Sequence, residues 1–245
     1  MENKEKIVKF GKWNEDKLNE MMQKSTKIKD LGSRIDFVSE QFLNVKYEDS
    51  TLIGSINTPE VLVINLDGMD CFTYIDYVES IQISDSFSSF VNNLQSIRYQ
   101  SSDIGFKNRN HFFTDWVEFN SGSVIDVTID VSGGKTKTVK KLLNKKGDGT
   151  YYLAGIPVKE RSVTYIPSTS IDDNIIENLK TGDYVGIYTE KDGLDVSHTG
   201  IIIKKKDGVY LRHASSRDEN RRVVDEDFLT YVSNKPGIVV LRPKQ

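Results

Sequence analysis

The chain has a single cysteine, Cys71, in 245 residues, so it can form no internal disulfide. Histidine is nearly as scarce, with His111, His198 and His213 only. There is no C-x-x-C, no H-E-x-x-H and no short ligand pair of metal spacing, which argues against a zinc centre. No apolar run approaches the length of a membrane span. The opening residues, Met1-Glu2-Asn3-Lys4-Glu5-Lys6, carry no apolar stretch of the kind a secretory signal needs. A removed signal would leave the same sequence, so the expected compartment is the cell envelope in that case and the cytoplasm otherwise. A net charge of −3 argues against a nucleic-acid-binding role. There is no internal repeat, low-complexity segment or evident linker, and no coiled-coil stripe stands out.

What is present suits a folded domain: 37% hydrophobic and 28% charged residues. One domain over residues 1–245, with a helical extension over about 1–45, is the simplest division. Trp13, Leu18, Met21 and Met22, then Ile28, Leu31, Ile35, Val38 and Phe42, recur at helical spacing. Further helices are expected after Cys71, at 84–97, at 171–179 and at 225–232. The lysine-rich stretch 137–144 reads as a helix with a solvated face, or as a local patch for an anionic ligand. Strands are expected at 123–131, 161–166, 184–189 and 237–241. Helices first and antiparallel strands later imply an α+β fold.

Cys71 sits in Asn65-Leu66-Asp67-Gly68-Met69-Asp70-Cys71-Phe72-Thr73-Tyr74, between an apolar run and a helical pattern. That places it at or just before a first helical turn, where outward N–H groups and the helix dipole favour a thiolate. The thiolate is the nucleophilic form. The other reading of a lone cysteine is a small buried hydrophobe. Asp70 is placed to cap the helix, and Asp67 to make a turn.

His198 opens a strand-like run and His213 closes the next, with an Asp207-Gly208 turn between them. This is a hairpin pattern that puts both histidines at its open end. A cysteine, a histidine and a third orienting group form a nucleophile–base–orienter set. Ordinary surface histidines are the plainer alternative. His111 reads equally as a substrate contact or a structural residue, and Phe113 and Trp116 as core or as a sugar platform.

Taken in order, Leu-Asp-Gly-Met-Asp-Cys-Phe-Thr-Tyr, Arg109-Asn110-His111-Phe112-Phe113-Thr114-Asp115-Trp116, Thr-Gly-Asp-Tyr-Val, Ser-His-Thr-Gly-Ile and Arg-His-Ala-Ser-Ser resemble a known family. It is the N-acetylmuramoyl-L-alanine amidase-like branch of the NlpC-type cell-wall hydrolases. The resemblance spans about residues 42–242. It implies a papain-like α+β fold, with the helical N-terminal part packed on an antiparallel sheet or half-barrel. It also implies that Cys71 is the nucleophile, His198 the base and His213 the orienting residue. Tyr47 matches a tyrosine close to the cysteine, although Asn44-Val45-Lys46 stand where the family often has glycine and proline. The Arg109–Trp116 segment, with His111, Asp115 and Trp116, is expected beside the substrate groove, and Ser215 is a further candidate contact. The implied substrate is a peptidoglycan fragment (a muropeptide), cut between the lactyl group of N-acetylmuramic acid and L-alanine, with no cofactor. An endopeptidase acting within the cell-wall peptide and a non-catalytic muropeptide-binding module are the alternatives.

Overall fold

A computed structural model describes residues 6–244; residues 1–5, most of the charged opening segment, lie outside that range together with residue 245. The architecture is α+β. Its contacts divide it into two compact units. The first runs up to Asn110 and includes Arg212–Asp225; the second is His111–Leu211 together with the part from Glu226 onward.

The first unit begins with β1 (Lys6–Lys9), α1 (Glu15–Ser25) and α2 (Leu31–Glu40). Asn14 and Asp30 cap the two helices through their side chains. The short strand β2 (Lys46–Tyr47) follows, then β3 (Ile53–Ser55), β4 (Thr58–Asn65) and β5 (Gly68–Met69). Two long helices close this stretch, α3 (Cys71–Gln82) and α4 (Phe87–Arg98). A small sheet runs in the order β1-β4-β3, with β1 parallel to β4. Leu18, Met22, Ile35, Val38, Phe42, Tyr74, Val78, Phe90 and Leu94 are buried apolar residues of this unit. Every residue of α3 from Thr73 to Gln82 is buried, including Asp76 and Glu79. Arg98 supplies the counter-charge for Asp76, with Nε 2.8 Å from Oδ2, and its Nη1 donates to the Val63 carbonyl at 2.6 Å. Burial pushes the Asp76 carboxyl upward and Arg98 pulls it back.

The second unit holds α5 (Asp115–Phe119), β6 (Val124–Asp126), α6 (Thr128–Val131), β7 (Lys137–Leu143), β8 (Lys159–Pro167), α7 (Asp173–Asn178) and β9 (Tyr184–Tyr188). After these come β10 (Val196–Lys205) and β11 (Gly208–Ala214), then β12 (Val223–Asp227), α8 (Phe228–Val232) and β13 (Gly237–Pro243). The sheet order is β11-β10-β9-β13-β8-β7, and β6 pairs with β13. The far end of β11, beside β12, belongs to the first unit. Val127, Ile166, Val185, Ile187, Ile202, Leu211, Phe228, Ile238 and Val240 form one core cluster.

Three expectations need correction. The lysine-rich stretch is strand β7, not a helix: all seven residues pair with β8, from Lys137 opposite Tyr165 to Leu143 opposite Lys159. The Thr138 and Thr164 hydroxyls meet across the strands at 2.9 Å. Lys141 is buried there; its ammonium lies over the Tyr188 ring and donates to the carbonyls of Thr189 (2.9 Å) and Lys191 (3.0 Å). The strand expected at 123–131 ends early, because the Asp126 carboxylate accepts from Thr128 N at 2.8 Å and turns the chain into α6. The helix expected at 225–232 begins later, at Phe228, because Asp227 is its cap and accepts from Thr230 N.

The Arg98–Asp76 pair yields a stability prediction. Both side chains are nearly inaccessible, at 1% and 2% exposure. Arg98→Ala would leave a buried carboxylate without its counter-charge, and urea unfolding should show a loss of about 3–5 kcal/mol. A loss below about 1 kcal/mol would mean that the pair is not a buried charge pair in solution.

Candidate active site

Cys71 is the first residue of α3. The preceding residue, Asp70, has extended backbone and its Oδ1 accepts from Phe72 N at 3.0 Å and Thr73 N at 2.7 Å. Thr73 Oγ1 accepts in return from Asp70 N at 3.0 Å. This capping box satisfies backbone donors of the first turn reciprocally and fixes where the helix starts. Cys71 therefore stands at the positive end of a twelve-residue helix dipole, half-buried rather than sealed in the core.

The short strand β2 sets Tyr47 beside this turn. β2 runs parallel to β5, with Tyr47 opposite Met69, and Glu48 N donates to the Met69 carbonyl at 3.1 Å. One strand spacing thus separates Tyr47 from the residue two positions before Cys71. The Tyr47 phenol is pushed up to about 12, chiefly by burial and next by the negative charges of Cys71 and Asp70. Arg221, stacked over its ring at 5.2 Å, opposes that shift. Asn44 takes the turn before β2 with φ of 67°, the left-handed conformation in which glycine is the commonest residue and asparagine is tolerated.

His213 reaches the same unit through a backbone ladder. Ser215 N donates to the Arg222 carbonyl at 2.9 Å, Arg222 bridges Lys46 in antiparallel fashion, and Lys46 pairs with Gly68. Tyr47 N donates to the Arg221 carbonyl and Val223 N to that of Val45, both at 2.8 Å. His213 is buried, and its neighbour Arg212 anchors it. The Arg212 guanidinium grips Asp225 at 2.7 and 2.9 Å, Asp36 Oδ1 at 2.8 Å and Ser39 Oγ at 2.9 Å. Sequence reading passed over Arg212, and its position directly before His213 was the available signal.

His198 belongs to the second unit. It lies near the start of β10, paired with Ile187, just after a register shift that follows Val196. Its half-exposed ring is 6.0 Å from the Tyr231 ring. His198 is the third residue of β10, as the hairpin pattern in the sequence implies. His111 is also half-buried, and its backbone N–H donates to Asp115 Oδ2 at 3.1 Å.

Asp115 and Trp116, expected beside the substrate, have fully buried side chains. Asp115 accepts from the backbone of His111 and Phe112 and from Lys159 and Arg161. Trp116 packs edge-on to Tyr184 at 5.2 Å. Ser215 is buried as well, whereas Tyr47 and His111 keep exposed surface. Among the described residues no cluster of three His, Cys, Asp or Glu side chains could hold a metal ion, and no helix is long and apolar enough to cross a membrane.

The Tyr47 shift can be checked directly. Replacing the thiolate-forming residue by a neutral one, as in Cys71→Ser, removes one of the charges that oppose phenolate formation. The ultraviolet difference titration should then bring the Tyr47 midpoint below about 12. An unmoved midpoint would mean that the thiolate does not face Tyr47 in solution.

A crystal structure of an N-acetylmuramoyl-L-alanine amidase from Bacteroides uniformis is 29% identical, covers 88% of this chain and 99% of its own, and superposes with a TM-score of 0.74. A Legionella pneumophila protein, 22% identical over 94% of both chains, shares the fold with a TM-score of 0.80. No curated protein sequence matches the chain. The model of a family described as N-acetylmuramoyl-L-alanine amidase-like matches residues 37–238. The chain belongs to that amidase-like family.

Proposed function

We propose that this chain is a cysteine amidase with a papain-like, NlpC-type fold, acting on peptidoglycan fragments. It cuts the amide between the lactyl group of N-acetylmuramic acid and L-alanine. The observation that carries the reading is the position of Cys71 in the first turn of a capped helix, within a chain of amidase-like family. A thiol at a helix N-terminus is favoured as thiolate by the dipole.

In the proposed reaction the Cys71 thiolate attacks the lactyl carbonyl while His198 is an imidazolium. The developing oxyanion is met by the backbone N–H of Cys71 at the helix start. The C–N bond breaks as His198 gives its proton to the nitrogen, and the peptide leaves with a free α-amine on L-alanine. The sugar side remains as a thioester on Cys71 Sγ. Neutral His198 then takes a proton from water, the hydroxide attacks the thioester, and the thiolate returns. His213 holds the His198 ring in its working tautomer. Tyr47 and His111 are the candidate substrate contacts.

Digestion of purified soluble muropeptides, followed by mass analysis, tests this. Native protein should release free disaccharide and an L-alanine-terminated peptide. Cys71→Ala should lower that rate by at least about a thousandfold. Cleavage inside the peptide would instead make the protein an endopeptidase. Absence of any cleavage by native protein would leave a binding module.

A further inference from the structure

The motif Arg109–Trp116 was expected to touch substrate, yet its central residues turn inward. Thr114 donates to the carboxylate of Asp195 twice, through its backbone N–H and its hydroxyl, both at 2.8 Å to Oδ2. The other oxygen of Asp195 accepts from Val196 N at 2.7 Å. Asp195 is buried and ends the loop that leads into β10. Its backbone carbonyl also accepts from Thr189 N at 3.3 Å. Arg161 joins this network through the same hydroxyl, its Nη1 donating to Thr114 Oγ1 at 2.9 Å.

A second contact from the same motif bears on the same place. Gly186 of β9 pairs with Thr199, next to the pair of Ile187 with His198. A Cβ at Gly186 would meet the Phe113 ring at 2.6 and 2.7 Å and Val196 Cγ1 at 2.6 Å. Phe113 thus wedges over the bare glycine while Thr114 holds Asp195. Between those two contacts the ladder slips, since Val196 faces Tyr188 and His198 faces Ile187. Slips of this kind re-aim the side chains that follow them.

We propose that Thr114 and Asp195 are positioning residues: they fix the slip in β10 and so aim the imidazole of His198. The inference rests on the reading of His198 as the base. A carboxylate suits the task because three donors converge on it, two on one oxygen and one on the other. A carboxamide could accept on only one side, and its NH2 would oppose a donor on the other. Burial raises the Asp195 carboxyl, and the hydrogen bonds from Thr114 and Val196 oppose that shift.

The test uses the full chain with Thr114→Val, which keeps shape and backbone N–H but loses the hydroxyl donor. Thr114→Ser, which restores the hydroxyl, and Asp195→Asn complete the set. Three measurements accompany them: thermal unfolding, kcat and KM on muropeptides, and ring 15N spectra of the three histidines, with His198 assigned through His198→Gln. Thr114→Val should lower kcat about ten- to a hundredfold with KM nearly unchanged, and should move the His198 ring signals. Thr114→Ser should restore both. If kcat and the His198 signals stay as in native protein in Thr114→Val and in any folded Asp195→Asn, while His198→Gln is inactive, the positioning role is overturned and the base reading stands. If His198→Gln remains active, the base reading fails, and the positioning role as stated falls with it.

Discussion

A guanidinium at 1% exposure has to be matched by carboxylates and carbonyls, or the fold loses more than the contact was worth. Arg212 meets that demand with Asp225, Asp36 and Ser39, and the Arg212–Asp36 bond spans 176 residues of sequence. The first unit depends on this fork because its chain is discontinuous: the whole of His111–Leu211 intervenes before Arg212–Asp225 rejoins it. The ladder through Val223, Val45 and Tyr47 adds backbone bonds to the same junction. Tyr74 of α3 ties in from another side, its hydroxyl donating to the Ser39 carbonyl at 3.2 Å. The helix that presents Cys71 and the strand that carries His213 are therefore both fastened around Ser39.

Local signals were legible in the sequence, and long-range ones were not. The α3 start could be read because a cap residue, a turn and an apolar period coincide within ten residues. The β10–β11 hairpin could be read because apolar runs flank a polar Asp-Gly turn. Strand β7 looks helical in the sequence because its six nearby lysines mask the β-branched Thr138 and Val139, and its identity comes from pairing with β8. β2 and β5 span two residues each, too few to show any period, yet they set Tyr47 beside the Cys71 turn. The sequence motif around Thr114 was visible; that its side chains face inward is fixed by Asp195, some eighty residues on, and nothing local reveals it.

The family match and the geometry support one another at different levels. Family membership shows an amidase-like chain, while a helix start that carries the only thiol is the physical basis of the nucleophile proposed above. The buried acids divide by their partners. Asp76 faces a guanidinium directly, whereas the hydrogen bonds to the Asp195 carboxylate come from one hydroxyl and two backbone amides.

Cys71 is partly open to solvent and has no companion thiol anywhere in the chain. Oxidants attack the thiolate form first, giving a sulfenic acid that is ordinarily rescued by a nearby resolving cysteine. With no second cysteine in the chain, that intermediate is capped by an external thiol or a backbone nitrogen, or passes irreversibly to sulfinic acid. Recovery of an oxidised Cys71 thiol therefore depends on reductants from outside the chain.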